Sequence, residues 1–198
     1  MNCKIFMNFP YELSMDILNE ELNLQGRESM LEIVAPLFEM TQKIAKPKAI
    51  YFKAEITDKH EKSVTVDNEI FESQLFGGTV EKGDMVFPYI VTVGTELDDY
   101  AKTLTDAMDQ FMIDEMMNLL VNIGKVFVAN EVQKEAGWEK TQDYVPGNGE
   151  EWSTEEQTRL FYMFGDDTKK IGVSLGEHAF VLPGRSTIGI LSQKKQAF

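Results

Sequence analysis

A helical pattern with no proline and a single glycine runs through residues 109–135. Its apolar side chains recur at steps of three and four residues, so they form one broad stripe along a helix. The pattern predicts a long core helix, or two consecutive ones, that ends at Ala136-Gly137. The stripe consists of Phe111, Met112, Met116, Leu119, Leu120, Ile123, Val126, Phe127 and Ala129.

Other helices are predicted from periodicity and capping residues. Residues 28–45 carry one apolar face, and Pro36 is expected to kink that helix. Thr95 is a candidate cap for a helix with acidic residues in its first turn. Ser153 and Glu156 have the spacing of a capping box before a helix over 154–164. Gly77-Gly78 is expected to break the chain.

Short segments rich in β-branched and aromatic residues come before and after the long helix in the sequence. They are joined by short turns, which favours antiparallel pairing. We therefore predict an α+β fold: a twisted, mainly antiparallel sheet with helices packed on it, on one side. The predicted strands are 49–56, 63–66, 85–93, 171–175, 179–182 and 187–191.

Length and charge limit the classes of partner. The chain has 198 residues, 43% apolar and 26% charged, which suits one globular domain over 1–198. The net charge of −14 disfavours nucleic acid and anionic membranes as partners. Cys3 is the only cysteine, and no apolar stretch approaches the length of a membrane span. The expected location is the cytoplasm, and the oligomeric state is left open.

Common catalytic and metal-binding signatures are missing from the sequence. It has no phosphate-binding Gly-x-x-x-x-Gly-Lys-Ser/Thr loop, no Gly-x-Ser-x-Gly and no His-Glu-x-x-His. His178, beside Glu177, could move a proton or ligate cobalt, but a structural or exposed histidine is favoured. Cys3 is interpreted as a small, partly buried thiol. We therefore assign no catalytic or metal-ligating residue.

The methionines of the long helix have two interpretations. Thioether side chains repack easily, so they could line an adaptable binding groove. Core filling is favoured because they share the apolar stripe. The methionines concerned are Met108, Met112, Met116 and Met117.

The most informative part of the sequence is its last third. Pro146-Gly147 precedes a predicted helix, and Pro183-Gly184 separates two predicted strands. Two such turns, placed at a common edge of the sheet, would expose peptide groups that can bind a polar ligand. The sequence therefore predicts a pocket between them.

This part of the chain resembles the adenosylmethionine-binding activation domain of cobalamin-dependent methionine synthase. The similar runs are IGVSLGEH at 171–178 and PGRSTIG at 183–189, with the Pro146-Gly147 loop and its helix ahead of them. The resemblance is fainter over 91–136. It implies an activation-domain-like fold.

Two residues differ from the family's Arg-x-x-Pro-Gly-Tyr loop. Asp143 stands at the arginine position and Asn148 at the tyrosine position. An arginine fork binds a carboxylate, whereas Asp143 would repel the carboxylate of S-adenosylmethionine. The resemblance implies S-adenosylmethionine as a cofactor, Asp143 opposes its binding, and cobalamin would be reached through a partner protein.

The resemblance implies three alternative functions. The first is an auxiliary subunit of a corrinoid-dependent methyl-transfer system, docking on a cobalamin-binding protein or methyltransferase. The second is a detached, adenosylmethionine-binding reactivation subunit of a split methionine synthase, and the third is a non-catalytic small-ligand or scaffold protein. The residues expected to contact the cofactor are Glu131, Asp143, Val145, Pro146, Gly147, Asn148, Glu177, Pro183, Gly184, Arg185 and Ser186.

Overall fold

The computed structural model describes residues 2–25, 27–147 and 152–195. Its helices are α1 (Met15–Glu21), α2 (Glu28–Ile44), α3 (Gln74–Thr79), α4 (Thr95–Thr103), α5 (Ala107–Ala136), α6 (Glu156–Tyr162) and α7 (Asp167–Lys170). Its strands are β1 (Lys4–Phe6), β2 (Lys48–Tyr51), β3 (Ala54–Lys59), β4 (Val64–Val66), β5 (Glu69–Phe71), β6 (Met85–Thr92), β7 (Thr141–Tyr144), β8 (Ser174–Leu175), β9 (Val181–Leu182) and β10 (Ser186–Gln193).

Strand β6 is the centre of an eight-stranded sheet in which every described pair is antiparallel. On one side it pairs with β10, which pairs in turn with β7. On its other side it pairs with β2 and then with β3, through Tyr51↔Tyr89 and Ala54↔Val86. The predicted strand 49–56 is therefore divided into two strands, β2 and β3, which are separated by Phe52-Lys53. The predicted strands 49–56 and 63–66 pair in antiparallel fashion, as β3 and β4.

Side chains alternate along the sheet and build two cores on its opposite faces. Tyr89 and Val91 of β6 face α5 and pack with its Val128 and Val132. Ile90 faces the other way, with the core that includes residues of α3 and α6. We call these the α5 face and the α6 face. Helices thus cover both faces, and the prediction of helices on one side is wrong.

A third core lies beyond the carboxyl end of β6, where α2, α4 and the first half of α5 pack together. Helix α5 is one continuous helix of 30 residues, and Gly137 ends it in the left-handed conformation at φ 70°. It therefore links this helical layer to the sheet. No helix in the described ranges has the length and apolarity that a membrane crossing needs.

The methionines of α5 are mainly core residues. Met112, Met116 and Met117 are buried, whereas Met108 is 40% exposed. Core filling is therefore confirmed for the first three and wrong for Met108. Phe111 and Val126, predicted on the buried stripe, are 55% and 60% exposed.

Several predicted boundaries need correction. Gly77-Gly78 lies inside α3, where the Ser73 hydroxyl caps the helix by accepting from the Phe76 amide over 3.1 Å. Gly94, not Thr95, is the N-cap residue of α4, and it adopts φ 89°. Helix α6 is shorter than predicted and has no side-chain cap at Glu155, so Ser153 and Glu156 form no capping box.

Candidate functional site

The two Pro-Gly turns approach one another on the α6 face, on either side of Gln157. The Nε2 of this α6 glutamine donates to the Pro146 carbonyl over 2.8 Å. Gly147 donates its amide to the Trp152 carbonyl over 2.8 Å, and the Trp152 ring stacks on Phe76 in the core. The Pro146 turn is therefore anchored at both ends.

Gln157 also lines a pocket of about 400 Å³ that opens between α6 and the second turn. We call it the loop pocket. Phe180 and Leu182 are 59% and 44% exposed at its wall. Its remaining lining is polar or backbone: Glu177, which begins a 3-10 turn, Gly176, Gly184 and Ser186, with buried Val181 between them. Among these described residues Glu177 carries the one formal charge.

The second turn is fixed to the end of β6. Ser186 Oγ lies 2.7 Å from the Pro183 carbonyl and 2.9 Å from Thr92 Oγ1. Thr92 is fully buried, and its Oγ1 also accepts from the Gly94 amide over 3.2 Å. The turn is therefore positioned by hydrogen bonds rather than left as a free loop.

Arg185 points to the other side of the sheet. Its Nη2 donates to Asp114 Oδ2 of α5 over 2.8 Å. It lines a second cavity, of about 290 Å³, between α4, the start of α5 and the turn at Gly184. We call this the α4–α5 cavity. Arg185 and Ser186, adjacent in sequence and predicted to act together, therefore serve different cavities.

Asp143 lies on the α5 face, because β7 pairs it with Leu191. Its Oδ2 is 2.7 Å from Lys125 Nζ, and its Oδ1 accepts from the Tyr89 hydroxyl over 2.8 Å. The carboxylate is thus neutralised within the fold and directed away from Gln157. Tyr144, the next residue, faces the α6 core.

The remaining predicted contact residues are spread out. Glu131 lies on α5, where it pairs with Lys134 at 2.7 Å, and it lines neither cavity. Val145 is half-buried between β7 and Pro146. Asn148 lies outside the described residues, as does the side chain of His178. Of the predicted set, the structure brings together Glu177, Gly184 and Ser186, with Pro146 bonded to the same Gln157.

Cys3 is half-buried, as expected from the sequence. Burial, and then a hydrogen bond to Asp167 and the negative charge of that residue, raise the pKa of the Cys3 thiol to about 11. The thiol therefore stays protonated at neutral pH, where it is a poor nucleophile. In the described part of the chain, no three histidine, cysteine or carboxylate side chains are grouped to hold a metal ion.

Five residues that line the loop pocket are missing from the predicted contact set: Gln157, Gly176, Phe180, Val181 and Leu182. Phe180 falls in a predicted strand, yet it follows the 3-10 turn and is more than half exposed. An aromatic residue beside a turn is the available signal. Gln157 gives no signal, since its role depends on contact with a loop eleven residues away.

No protein-family model and no curated protein matches this chain by sequence. Among solved structures it is similar to the crystal structure of the MetH reactivation domain bound to AdoHcy, with a TM-score of 0.68 and 13% identity. The match covers 100% of this chain and 81% of that chain. The predicted fold class is therefore confirmed: this chain has the fold of the MetH reactivation domain.

Proposed function

We propose that the chain is an auxiliary subunit of a corrinoid-dependent methyl-transfer system and docks on a cobalamin-binding protein. The observation that carries this proposal is the exposure of Phe180 and Leu182 on the wall of the loop pocket. Exposed apolar side chains grouped at a pocket are typical of interaction surfaces. The fold it shares with the MetH reactivation domain supports the choice of partner.

The chemistry of the loop pocket suits a mixed apolar and amide surface. Phe180 and Leu182 offer apolar contact, while the Gln157 amide and the Ser186 hydroxyl can exchange hydrogen bonds. A corrinoid presents a flat macrocycle edged with amide side chains, so both kinds of contact are available. Cobalamin carries the methyl group, and the docking subunit positions it.

The same pocket is poorly matched to a free carboxylate. Its lining contains no lysine or arginine among the described residues. Two basic residues near the predicted loop positions are already paired on the α5 face, Arg185 with Asp114 and Lys125 with Asp143. A ligand carboxylate would therefore lack the bidentate partner that usually holds it.

A second candidate is the detached reactivation subunit that binds S-adenosylmethionine. It is favoured by the AdoHcy bound to the structural neighbour. Glu177 supports it too, since a carboxylate can attract the sulfonium and ammonium charges of the cofactor. In this case backbone groups of the Pro146 turn would replace the missing arginine.

Calorimetric titration separates the two candidates. The purified chain is titrated with a methionine synthase cobalamin-binding domain loaded with cobalamin, and separately with S-adenosylmethionine. The docking proposal predicts that the chain binds the cobalamin-loaded domain and does not bind S-adenosylmethionine. Micromolar binding of S-adenosylmethionine would favour the second candidate, and binding of neither titrant would leave a scaffold role.

A double variant, Phe180→Ser with Leu182→Ser, tests the surface itself. Both side chains are largely exposed, so the fold should be retained while docking weakens at least tenfold. Phe111→Ser is the matched control, because Phe111 is 55% exposed on α5 and lines neither cavity. Equal docking by both variants would contradict the proposed surface.

A further inference from the structure

The α4–α5 cavity lies on the far side of the Gly184-Arg185 turn from the loop pocket. Its volume of about 290 Å³ is at the lower end of the range of about 300–1,000 Å³ typical of small-molecule sites. It can therefore hold a molecule of roughly amino-acid size. Neither the resemblance to methionine synthase nor the proposed docking gives it a role.

Two ion pairs lie at this cavity. Arg185 pairs with Asp114 at 2.8 Å, and Lys102 pairs with Asp98 at 2.5 Å. The four formal charges that line the cavity cancel, and Asp99, which is 72% exposed and 3.3 Å from Lys102, lies outside the lining. A simple anion would meet two carboxylates here and a simple cation would meet two basic groups, so neither is matched to the site.

The Arg185–Asp114 pair has bonding capacity to spare. A guanidinium has five N–H donors, and the described residues show one of its nitrogens, Nη2, in a bond to Asp114. Arg185 and Asp114 are 36% and 46% exposed, so a ligand can reach both. Asp98 is only 15% exposed, and its charge is therefore less screened by solvent.

The floor of the cavity is apolar. Ile113 and Met117 of α5 are 1% and 2% exposed, and Ala101 of α4 lies beside them. Charged groups at the rim and apolar groups below match a molecule with both charges at one end and a hydrocarbon side chain at the other. Free α-amino acids with apolar side chains have this shape.

We propose that the α4–α5 cavity binds an apolar α-amino acid as a zwitterion. The ligand carboxylate lies between Arg185 and Lys102, its ammonium group between Asp98 and Asp114, and its side chain against Ile113 and Met117. The ion pairs seen in the structure open to admit these charges, so affinity comes from exchanging partners and from burying the side chain.

The test is a chemical-shift titration of the full chain by NMR with three probes. L-Leucine has both charges, 4-methylpentanoate has the carboxylate alone, and isoamylamine has the ammonium group alone. We expect leucine to shift amides of α4 and of the start of α5, with each single-charge analogue binding at least tenfold more weakly. Leucine has no nucleoside, so this result is independent of the proposed function.

Two variants locate the site. Arg185→Gln and Asp98→Asn should each weaken leucine binding at least tenfold, while Lys169→Gln, an exposed lysine of α7 paired with Asp166, should leave it unchanged. Thermal unfolding checks that each variant folds, and the three-probe comparison on the native chain stands if one does not. The proposal is overturned if leucine causes no shifts, if an analogue binds as tightly, or if both variants bind normally.

Discussion

Tyr89 donates its hydroxyl to Asp143 across 2.8 Å on the α5 face of the sheet. Tyr89 is 1% exposed, and burial, followed by the negative charge of Asp143, raises its pKa well above the usual value. The phenol therefore remains a donor at all physiological pH values. Lys125 completes the group at 2.7 Å from the same carboxylate. Asp143, which stands at the arginine position of the Arg-x-x-Pro-Gly-Tyr loop, is thus a structural residue of the α5 face.

Asp143→Arg should destabilise the chain without creating a cofactor site. Arginine would stand beside Lys125 and leave the buried Tyr89 hydroxyl without its acceptor, which typically costs about 1–3 kcal/mol. For a chain of this length we expect the melting temperature to fall by several degrees. Circular dichroism measures the melting, and calorimetry should show no gain of S-adenosylmethionine binding.

Asp143→Asn is the matched control for that change. It keeps an oxygen acceptor for Tyr89 and loses only the partly exposed pairing with Lys125, so its melting temperature should fall less. Tight cofactor binding by Asp143→Arg would show that position 143 can reach the loop pocket, against the geometry described above.

Gly124→Ala should destabilise the packing of α5 on the sheet. A β-carbon at Gly124 would lie 2.4 Å from Val91 Cγ1 and 2.7 Å from the Phe9 ring, so the helix must move away. Overpacking of this kind costs about 1–3 kcal/mol, more than the roughly 1 kcal/mol that alanine gains in helix propensity. Urea unfolding should show a lower midpoint.

Gly78→Ala is the counterpart of that substitution in α3. A β-carbon at Gly78 would meet no atom of a neighbouring element within 4 Å, and the φ of Gly78 is not positive. Alanine should therefore leave stability unchanged or raise it by up to about 1 kcal/mol. If both glycine variants unfold at the same urea concentration, close approach of α5 is not the reason for Gly124.

The Cys3 thiol should react slowly until the pH is strongly alkaline. Its pKa rises from 9.0 to about 11 in the folded chain, so the protonated thiol is favoured by folding. The associated stability is present below pH 9 and is lost as the pH rises through about 11. Iodoacetamide labelling at pH 9 should be much slower in the native chain than in urea.

Asp167→Asn separates the causes of this pKa. Burial is the largest, so the variant should lower the thiol pKa only part of the way towards 9.0. Labelling rates as a function of pH give both values. Native labelling as fast as labelling in urea at pH 9 would contradict the buried position of Cys3.

Gln157→Leu should loosen the Pro146 turn. The substitution removes the donor to the Pro146 carbonyl and leaves that oxygen unpaired, at a cost of about 1–3 kcal/mol. Hydrogen exchange of the Gly147 amide, bonded to the Trp152 carbonyl, should become faster. Gln74→Leu, at an exposed position of α3, is the control, and equal exchange in both variants would contradict the anchoring role.

Local pattern is enough for the elements that carry their own periodicity. Helix α5 is confirmed because a long run without proline ends at Gly137, and strand β6 is confirmed because a continuous apolar run is typical of a strand buried on both faces. Strand β7 escapes prediction because its sequence, Thr-Gln-Asp-Tyr, lacks apolar alternation and it is held by pairing with β10. The predicted break at Gly77-Gly78 is wrong because burial of Phe76 and the Ser73 cap outweigh the low helix propensity of glycine.

The candidate site is less predictable than the fold. The two Pro-Gly turns are visible in the sequence, but their meeting at Gln157 depends on contacts between distant segments. Asp143 and Arg185 are separated from Ser186 because they lie on the opposite face of the sheet. That orientation follows from strand register, which the sequence of β7 does not reveal.

Gly184 forms part of the wall of both the loop pocket and the α4–α5 cavity. Whatever displaces this residue from one side alters the shape offered to a molecule on the other. Thermodynamic reciprocity then requires that two occupants coupled through Gly184 change one another's dissociation constants by the same factor. Because Gly184 borders both sites, a small molecule bound in the α4–α5 cavity would change the affinity of a macromolecule that docks at the loop pocket.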